Sequence, residues 1–421
     1  MVIHSLEIDA IRIQSDLDEL SKISDSVFPC VTRVLWTDKD MLARAWLKRK
    51  MEEAGLVVRE DEIGNIFGRL QADAPESPAI ATGSHNDAIP FSGMYDGTVG
   101  VLGGLEALRS IRKHLQKTGK QLAKSIDLIM FTAEEPTRFG IGCLGSRLMA
   151  GTLSPEQAHA LSDSEGQSLE TIRSKAEYEG DLANVQLEKN CYDAFVELHI
   201  EQGPLLEQRG LQIGIVTAIA APSSLRVKYE GPGGHAGAVL MKDRRDPLLP
   251  AAKLILEVND AAHEIGGEDT VATTGVVKVH PGAINSIPRE VIVEMDIRDI
   301  DLERRTRVLQ RVEAKAFALG KDASIPTTLK WINADPPATC DTRIVDTIQS
   351  VCDAYQFTSQ KMISRAYHDS LFMAQICPTA MIFIPCRDGI SHRPEEYAST
   401  NAIEVGAKTL ASTLLELALV L

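Results

Sequence analysis

Residues 78–100, PAIATGSHNDAIPFSGMYDGTVG, run from an apolar strand through a polar loop into a helix. PAIAT is continuously apolar, as a buried strand is, and GVLGGLEALRSIRKHL from Gly100 spaces its apolar positions three and four apart, as an amphipathic helix does. LVVRED and NIFGRL upstream and SIDLIMFTAEE downstream read as further strands. This alternation predicts an α/β layer around a mostly parallel or mixed sheet. A different rhythm starts near Gly214. VTAIAAPSSLRVKYEG, VATTGVVKVHP and INSIPREVIVEMDIRDI are longer alternating strands, with helices expected over 246–264 and 302–319. Two helices against an antiparallel sheet make a small α+β domain. After Asp335, VDTIQSVCDAY and TAMIFIPC return to the first style. The expected organisation is a catalytic domain over 1–213 and 335–421, interrupted by an inserted domain over 214–334.

The 421 residues leave room for two domains and a large core. A formal net charge of −15 repels phosphate backbones and anionic lipid, so neither nucleic acid nor membrane is an expected partner. Seven Cys without a C-x-x-C pair read as reduced thiols rather than a disulfide or zinc framework. The amino-terminal MVIHSLEIDAIRIQSDLDEL lacks the basic and apolar blocks of a secretion signal, and the apolar tail TLASTLLELALVL is interrupted by Glu416. A cytoplasmic setting is expected.

Ten His are spread along the chain, and half of them sit among carboxylates, glycines or strand ends. In GSHNDAIP, His85 and Asp87 are two apart, on one side of an extended segment, so one can bind a metal while the other holds its imidazole. Asp96 follows just ahead of the helix, where its two oxygens can bridge two cations. FTAEEPTRFG ends a buried strand with Glu134 and Glu135, which are costly to bury unless paired or metal-bound. One can ligate a cation while the other holds the attacking water and takes its proton. VELHIEQGP offers His199 in another strand, and GISHRPEE offers His392 after the strand TAMIFIPC. Each segment also has an ordinary reading: a solvated loop for H-x-D, a helix cap for Asp96, a surface pair for the glutamates, a hydrogen-bonded core residue for a strand His. Together they supply two cation sites of three protein ligands each, with room for water.

GSHNDAIPFSGMYDG, AEEPTRFGIGCLGSR, ELHIEQGPLLE, GPGGHAGAVLMKDRRDP, PGAINSIPREVIVEMDIRD, ISRAYHDSLFMA and GISHRPEEY resemble, in order, the successive motifs of the M20-type dinuclear metallohydrolases, in their amidase, hydantoinase and carbamoylase branch. The resemblance implies a two-domain M20-like fold, a dinuclear-metal α/β catalytic domain with an inserted α+β lid and dimerisation domain. It implies hydrolysis of a linear amide or ureido C–N bond in a small anionic ureido substrate by a homodimer. Two divalent metal ions are implied, Mn²⁺ or Zn²⁺, one held by His85, Asp96 and His199 and the other by Asp96, Glu135 and His392. Glu134 is then the general base, and Asp87 orients His85. His235 in GGHAGA steadies the oxyanion, Asn285 and Arg298 grip the substrate, and Gln202, Tyr367 and His368 contact it. Without the surrounding motifs, Arg298 reads as a surface salt bridge and His235 as a helix-start His in a Gly loop. Tyr367 stands where relatives with larger ureides carry a small residue, so its bulk favours a small ureido hydroxy acid. Asn86 departs from the family, whose members place an apolar residue between this His and Asp.

Overall fold

The computed structural model describes residues 6–72 and 78–419. The first five residues of the amino-terminal stretch and the last two of the apolar tail lie outside the described residues. Among the described residues no helix is long and apolar enough to cross a membrane.

The chain divides into two compact units. The first runs to Thr217 and resumes over Thr339–Ser364 and from His368 onward; the second comprises Ala218–Ala338 and Arg365–Tyr367. The first unit is built on a nine-stranded sheet. Its strands and main helices, in chain order, are β1 (Val57–Glu60), β2 (Ile66–Leu70), β3 (Ala79–His85), α1 (Thr98–Thr118), β4 (Ile126–Phe131), β5 (Tyr192–Ile200) and β6 (Ile213–Ile219). The second unit carries β7 (Ala221–Glu230), α2 (Leu248–Ile265), β8 (Val271–His280), β9 (Glu290–Asp299), α3 (Leu302–Asp322) and β10 (Thr327–Ala334). The chain then returns to the first sheet with β11 (Ala338–Thr339), β12 (Ser359–Ser364), β13 (Thr379–Ile384) and the closing helix α4 (Thr400–Ala418).

In the large sheet the order is β11-β6-β13-β5-β3-β4-β2-β1, with β12 also paired to β6. The four middle strands, β13, β5, β3 and β4, are parallel, and antiparallel strands flank them. β3, β4 and β13 are buried along their whole length, which explains their unbroken apolar reading. α1 and α4 pack together over this sheet. Gly100 makes the close approach possible: a Cβ there would stand 2.3 Å from the Leu198 carbonyl oxygen on β5.

The second unit is a four-stranded antiparallel sheet of order β8-β9-β7-β10. Alternate residues Leu225, Val227 and Tyr229 of β7 and Val291, Val293, Met295 and Ile297 of β9 form its core with α2 and α3 residues such as Leu254, Val258, Val308 and Val312. That alternation is the longer-strand pattern of the sequence. The units part about four residues later than the expected 213/214 and 334/335 boundaries. The reason is that β6 pairs with β13 through Val216, and the Cys340 N–H donates to the Thr217 carbonyl at 2.9 Å, so both strand ends stay with the large sheet. The Arg365–Tyr367 segment, expected within the catalytic domain, groups with the second unit. One of its contacts there is the Arg365 carbonyl, which accepts from Arg298 at 3.1 Å.

Candidate metal centre

All four parallel strands deliver a site residue at or beyond their carboxyl ends, where an open α/β sheet leaves a crevice for ligands. His85 closes β3 and lies in register with Phe131, the last residue of β4, from which the chain turns through Ala133 at φ 53° into Glu134 and Glu135. His199 on β5 is in register with Phe383 on β13, and His392 follows β13 in a loop at φ 60°. Asp96 immediately precedes α1. Gly97, between Asp96 and the helix, has φ 64°, and a Cβ there would stand 2.4 Å from His85 Nε2. Both the backbone and the ring therefore require glycine at this position.

Two groups of three donors form, sharing Asp96. His85 Nε2 and His199 Nε2 lie 3.4 and 3.2 Å from Asp96 Oδ1. His392 Nε2 lies 3.3 Å from Asp96 Oδ2 and 3.2 Å from Glu135 Oε1. A tetrahedral ion with ligand bonds of ~2.0–2.1 Å separates neighbouring donors by about 3.3 Å, so this donor set fits divalent metal ions. The set holds imidazole and carboxylate and no thiolate, which suits Mn²⁺ and Zn²⁺ alike. His85, Glu135 and His199 are buried and the Asp96 side chain is 9% exposed, while the His392 side chain is 46% exposed, so the centre is open to solvent on that side.

The charge balance points the same way. Burial disfavours the Asp96 carboxylate, but His199, His392 and His85 outweigh it and hold its pKa well below the usual range. Burial likewise disfavours charge on His85, yet Glu134, Asp87 and Asp96 raise it well above its ordinary value. Hydrogen bonds to Asp96 and Glu135 push His392 up to about 11. The gathered carboxylates demand positive charge, which divalent cations meet while releasing imidazole protons. Glu134 belongs to neither triad. Its Oε2 lies 3.7 Å from His85 Nε2, and burial, reinforced by Glu135, Asp369 and Asp96 against the pull of His85, raises its pKa well above the ordinary value. A carboxyl whose surroundings favour its protonated form is suited to take a proton and hand it on.

The remaining expected residues also have partners within the protein. The nearest partner of His85 Nδ1 at Asp87 is the backbone carbonyl, at 3.1 Å, with the carboxylate at 3.6 Å. The Asp87 carboxylate instead accepts the N–H groups of Glu134 and Glu135, at 3.3 and 3.0 Å, and so aims both glutamates. Gln202, expected to contact substrate, donates to Asp96 Oδ2 at 2.6 Å and so steadies the shared carboxylate. Arg298, expected to grip a carboxylate on the substrate, is engaged by Asp296 at 2.9 Å and by the Arg365 carbonyl. Residues 296 and 298 share one face of β9, which makes them natural partners. His368 is buried against His199, their ring centroids 4.4 Å apart, with Nε2 on Ser364 Oγ at 3.1 Å. Burial and His199 hold its pKa well below the ordinary value, so it stays neutral. Tyr367 and His368 fall in different units, Tyr367 half-buried in the second. His235 is exposed there on a two-residue strand paired with Ser286 and Ile287, and the exposed Asn285 accepts the Ala236 N–H at 2.9 Å, so these two residues are neighbours.

Sequence reasoning missed several supporting groups. Glu197, fully buried, accepts from Ser84 Oγ at 2.7 Å and Ser370 Oγ at 2.6 Å, and with His199 and His368 makes a third donor group. Its spacing of two from His199 on a strand was the available signal. Arg33 is buried and donates to the Asn86 carbonyl at 2.5 Å, bracing the loop between His85 and Asp87, while the Asn86 side-chain amide is buried without a hydrogen-bond partner.

Gly97→Ala should displace the His85 ring and weaken metal retention by roughly 10-fold or more, the scale of a disturbed ligand orientation. Metal titration checks this, and wild-type affinity would refute the role assigned to Gly97.

A mixed α/β sheet with histidine and carboxylate donors at its parallel strand ends defines a metal-dependent hydrolase scaffold. The model of Peptidase family M20/M25/M40 matches residues 84–416, and the chain belongs to that family. It is 51% identical to a ureidoglycolate hydrolase of Oryza sativa subsp. japonica, over 98% of this chain and 85% of the relative. It is 36% identical to an N-carbamoyl-L-amino acid amidohydrolase of Geobacillus stearothermophilus, over 97% of this chain and 98% of the relative. The crystal structure of AtUAH in complex with glyoxylate superposes with a TM-score of 0.87 at 50% identity, covering 98% of each chain.

Proposed function

We propose that this chain is a metal-dependent amidohydrolase that converts (S)-ureidoglycolate to glyoxylate, ammonia and carbon dioxide. The observation that carries the reading is the pair of donor triads joined at Asp96 with Glu134 beside them. The 51% identity to a ureidoglycolate hydrolase supports the choice of substrate. Two divalent cations, Mn²⁺ by preference or Zn²⁺, supply Lewis acidity and lower the pKa of water by several units. His85, Asp96 and His199 hold one, and Asp96, Glu135 and His392 the other. Asp87 aims Glu134 through its backbone N–H, and Glu134 takes the proton of the attacking water and delivers it to the leaving nitrogen. The reading assigns the oxyanion to His235 and the substrate carboxylate to Arg298 with Asn285, Arg298 exchanging Asp296 for the substrate. Gln202, Tyr367 and His368 complete the substrate contacts. A homodimer formed through the second unit and a cytoplasmic setting belong to the same reading, and light scattering checks the dimer.

A substrate panel tests it. The kcat/KM for ureidoglycolate should exceed those for allantoate and N-carbamoyl amino acids by about 10²-fold or more, the scale on which an ill-fitting group is rejected. A preference for either alternative would replace the reading with that substrate. Tyr367→Gly should narrow the ratio of ureidoglycolate to allantoate, and an unchanged ratio would remove Tyr367 from specificity.

A further inference from the structure

One buried carboxylate outside both triads ties Asp96 to His392, 296 positions apart in the chain. Glu396 is 4% exposed. Its Oε1 accepts the N–H groups of Tyr95, at 2.8 Å, and of Asp96, at 3.0 Å, residues about 300 positions away in the chain. Its Oε2 accepts the His392 N–H at 3.3 Å and lies 3.0 Å from Ser391 Oγ, whose single proton it shares with Asp96 Oδ2 at 2.6 Å. Each oxygen is thus occupied by main chain of a ligand residue, leaving the group committed to holding rather than to chemistry.

Two further features support this. A Cβ at Gly93 would stand 2.4 Å from Glu396 Cβ and 2.6 Å from Oε1, so the facing loop omits a side chain where the carboxylate enters. His392 sits at φ 60°, a left-handed conformation that a non-glycine residue keeps only under external restraint, and its N–H is tied to Glu396. Asp96 has a second anchor, since its carbonyl accepts the Thr98 N–H at 2.6 Å as α1 begins. His392 instead lies in the loop between a 3-10 turn at Arg387–Gly389 and α4.

We propose that Glu396 is a positioning residue that sets the spacing of Asp96 and His392 and thereby the affinity of the Asp96–Glu135–His392 triad for its cation. It acts through backbone N–H groups and touches neither ion nor substrate. The inference rests on the reading of the two triads as metal sites, and the experiment separates the two failures. Purified wild type, Glu396→Ala, Glu396→Gln and His392→Ala are dialysed against graded free Mn²⁺ and Zn²⁺, and bound metal per chain is counted by elemental analysis alongside circular dichroism and Tm.

Wild type should bind two ions and His392→Ala one. Glu396→Ala should keep one ion at wild-type affinity and bind the other, the one lost in His392→Ala, 10- to 100-fold less well, the range over which outer partners of ligands act. Glu396→Gln should fall between. Its amide oxygen can still accept from Tyr95 and Asp96, but its amide nitrogen meets the His392 N–H donor to donor. Wild-type binding of both ions by Glu396→Ala, or equal weakening of both, would overturn the proposal. If Glu396→Ala fails to fold, wild-type affinity in Glu396→Gln overturns it equally. Retention of two ions by His392→Ala would overturn the ligand reading itself, and the proposal with it.

Discussion

Glu134→Gln is expected to lower kcat by about 10²–10⁴, the usual weight of a positioned general acid–base group, while metal content and Tm stay at wild-type values. The split follows from placement. Glu134 lies outside both donor triads, and its backbone remains held by Asp87 at 3.3 Å whatever its side chain carries. Gln keeps the volume and can hydrogen-bond, so the buried pocket stays filled. It cannot take a proton, so the step that protonates the leaving nitrogen loses its carrier. Steady-state kinetics with metal analysis on one preparation checks the prediction. Near-normal turnover would remove Glu134 as the base, and loss of metal would move it among the ligands.

Asp96→Asn should have a larger effect, because it strikes both triads at once. The two oxygens of Asp96 face opposite sides: Oδ1 meets His85 and His199, and Oδ2 meets His392. Asn retains one neutral oxygen and puts a donor NH₂ where the other stood, so neither cation keeps its charge partner in full. Both ions should be lost at concentrations that saturate wild type, and activity should fall by 10³-fold or more, on the order of what metal catalysis contributes. Treating wild type with a chelator should reproduce the loss, with Mn²⁺ or Zn²⁺ restoring it. Glu135→Gln touches one triad only and serves as the comparison. If Asp96→Asn held two ions, Asp96 would not be the shared ligand.

The five ligand candidates were legible because each sits at a strand end or helix start that apolar patterning marks independently, so chemistry and fold point to the same residues. Their division into two groups came with the family resemblance and not from the order of the segments; the structure brings the same five side chains together. Their supports were not legible, for particular reasons. Glu395 and Glu396 are adjacent and chemically alike, yet the first is exposed and the second 4% exposed. Only the turn closed by the Glu396 N–H on the Arg393 carbonyl decides which one points inward. Arg33 lies on a three-residue strand too short to carry a pattern, and what it braces is a backbone carbonyl 53 residues away. Asp87 lies beside His85 as its spacing indicates, but its further hold on the N–H groups of Glu134 and Glu135 was not legible, because spacing shows which residues share a face and not what else a carboxylate accepts from. Arg298 shows the reverse: its pairing with Asp296, two residues earlier on the same strand, matches the salt-bridge reading its sequence offers when taken alone.

Where the second unit leaves and rejoins the large sheet, the two chain ends are one hydrogen bond apart, from Cys340 to Thr217. The gap that 218–338 spans is therefore closed already by the strands on either side of it. A short turn in place of the segment would leave the four parallel strands and all five metal donors in place. Such an architecture lets the inserted segment behave as a cassette. Reshaping it would change His235, Asn285 and Arg298 and their surroundings, while Gln202, His368 and the ion-bearing sheet stay as they are.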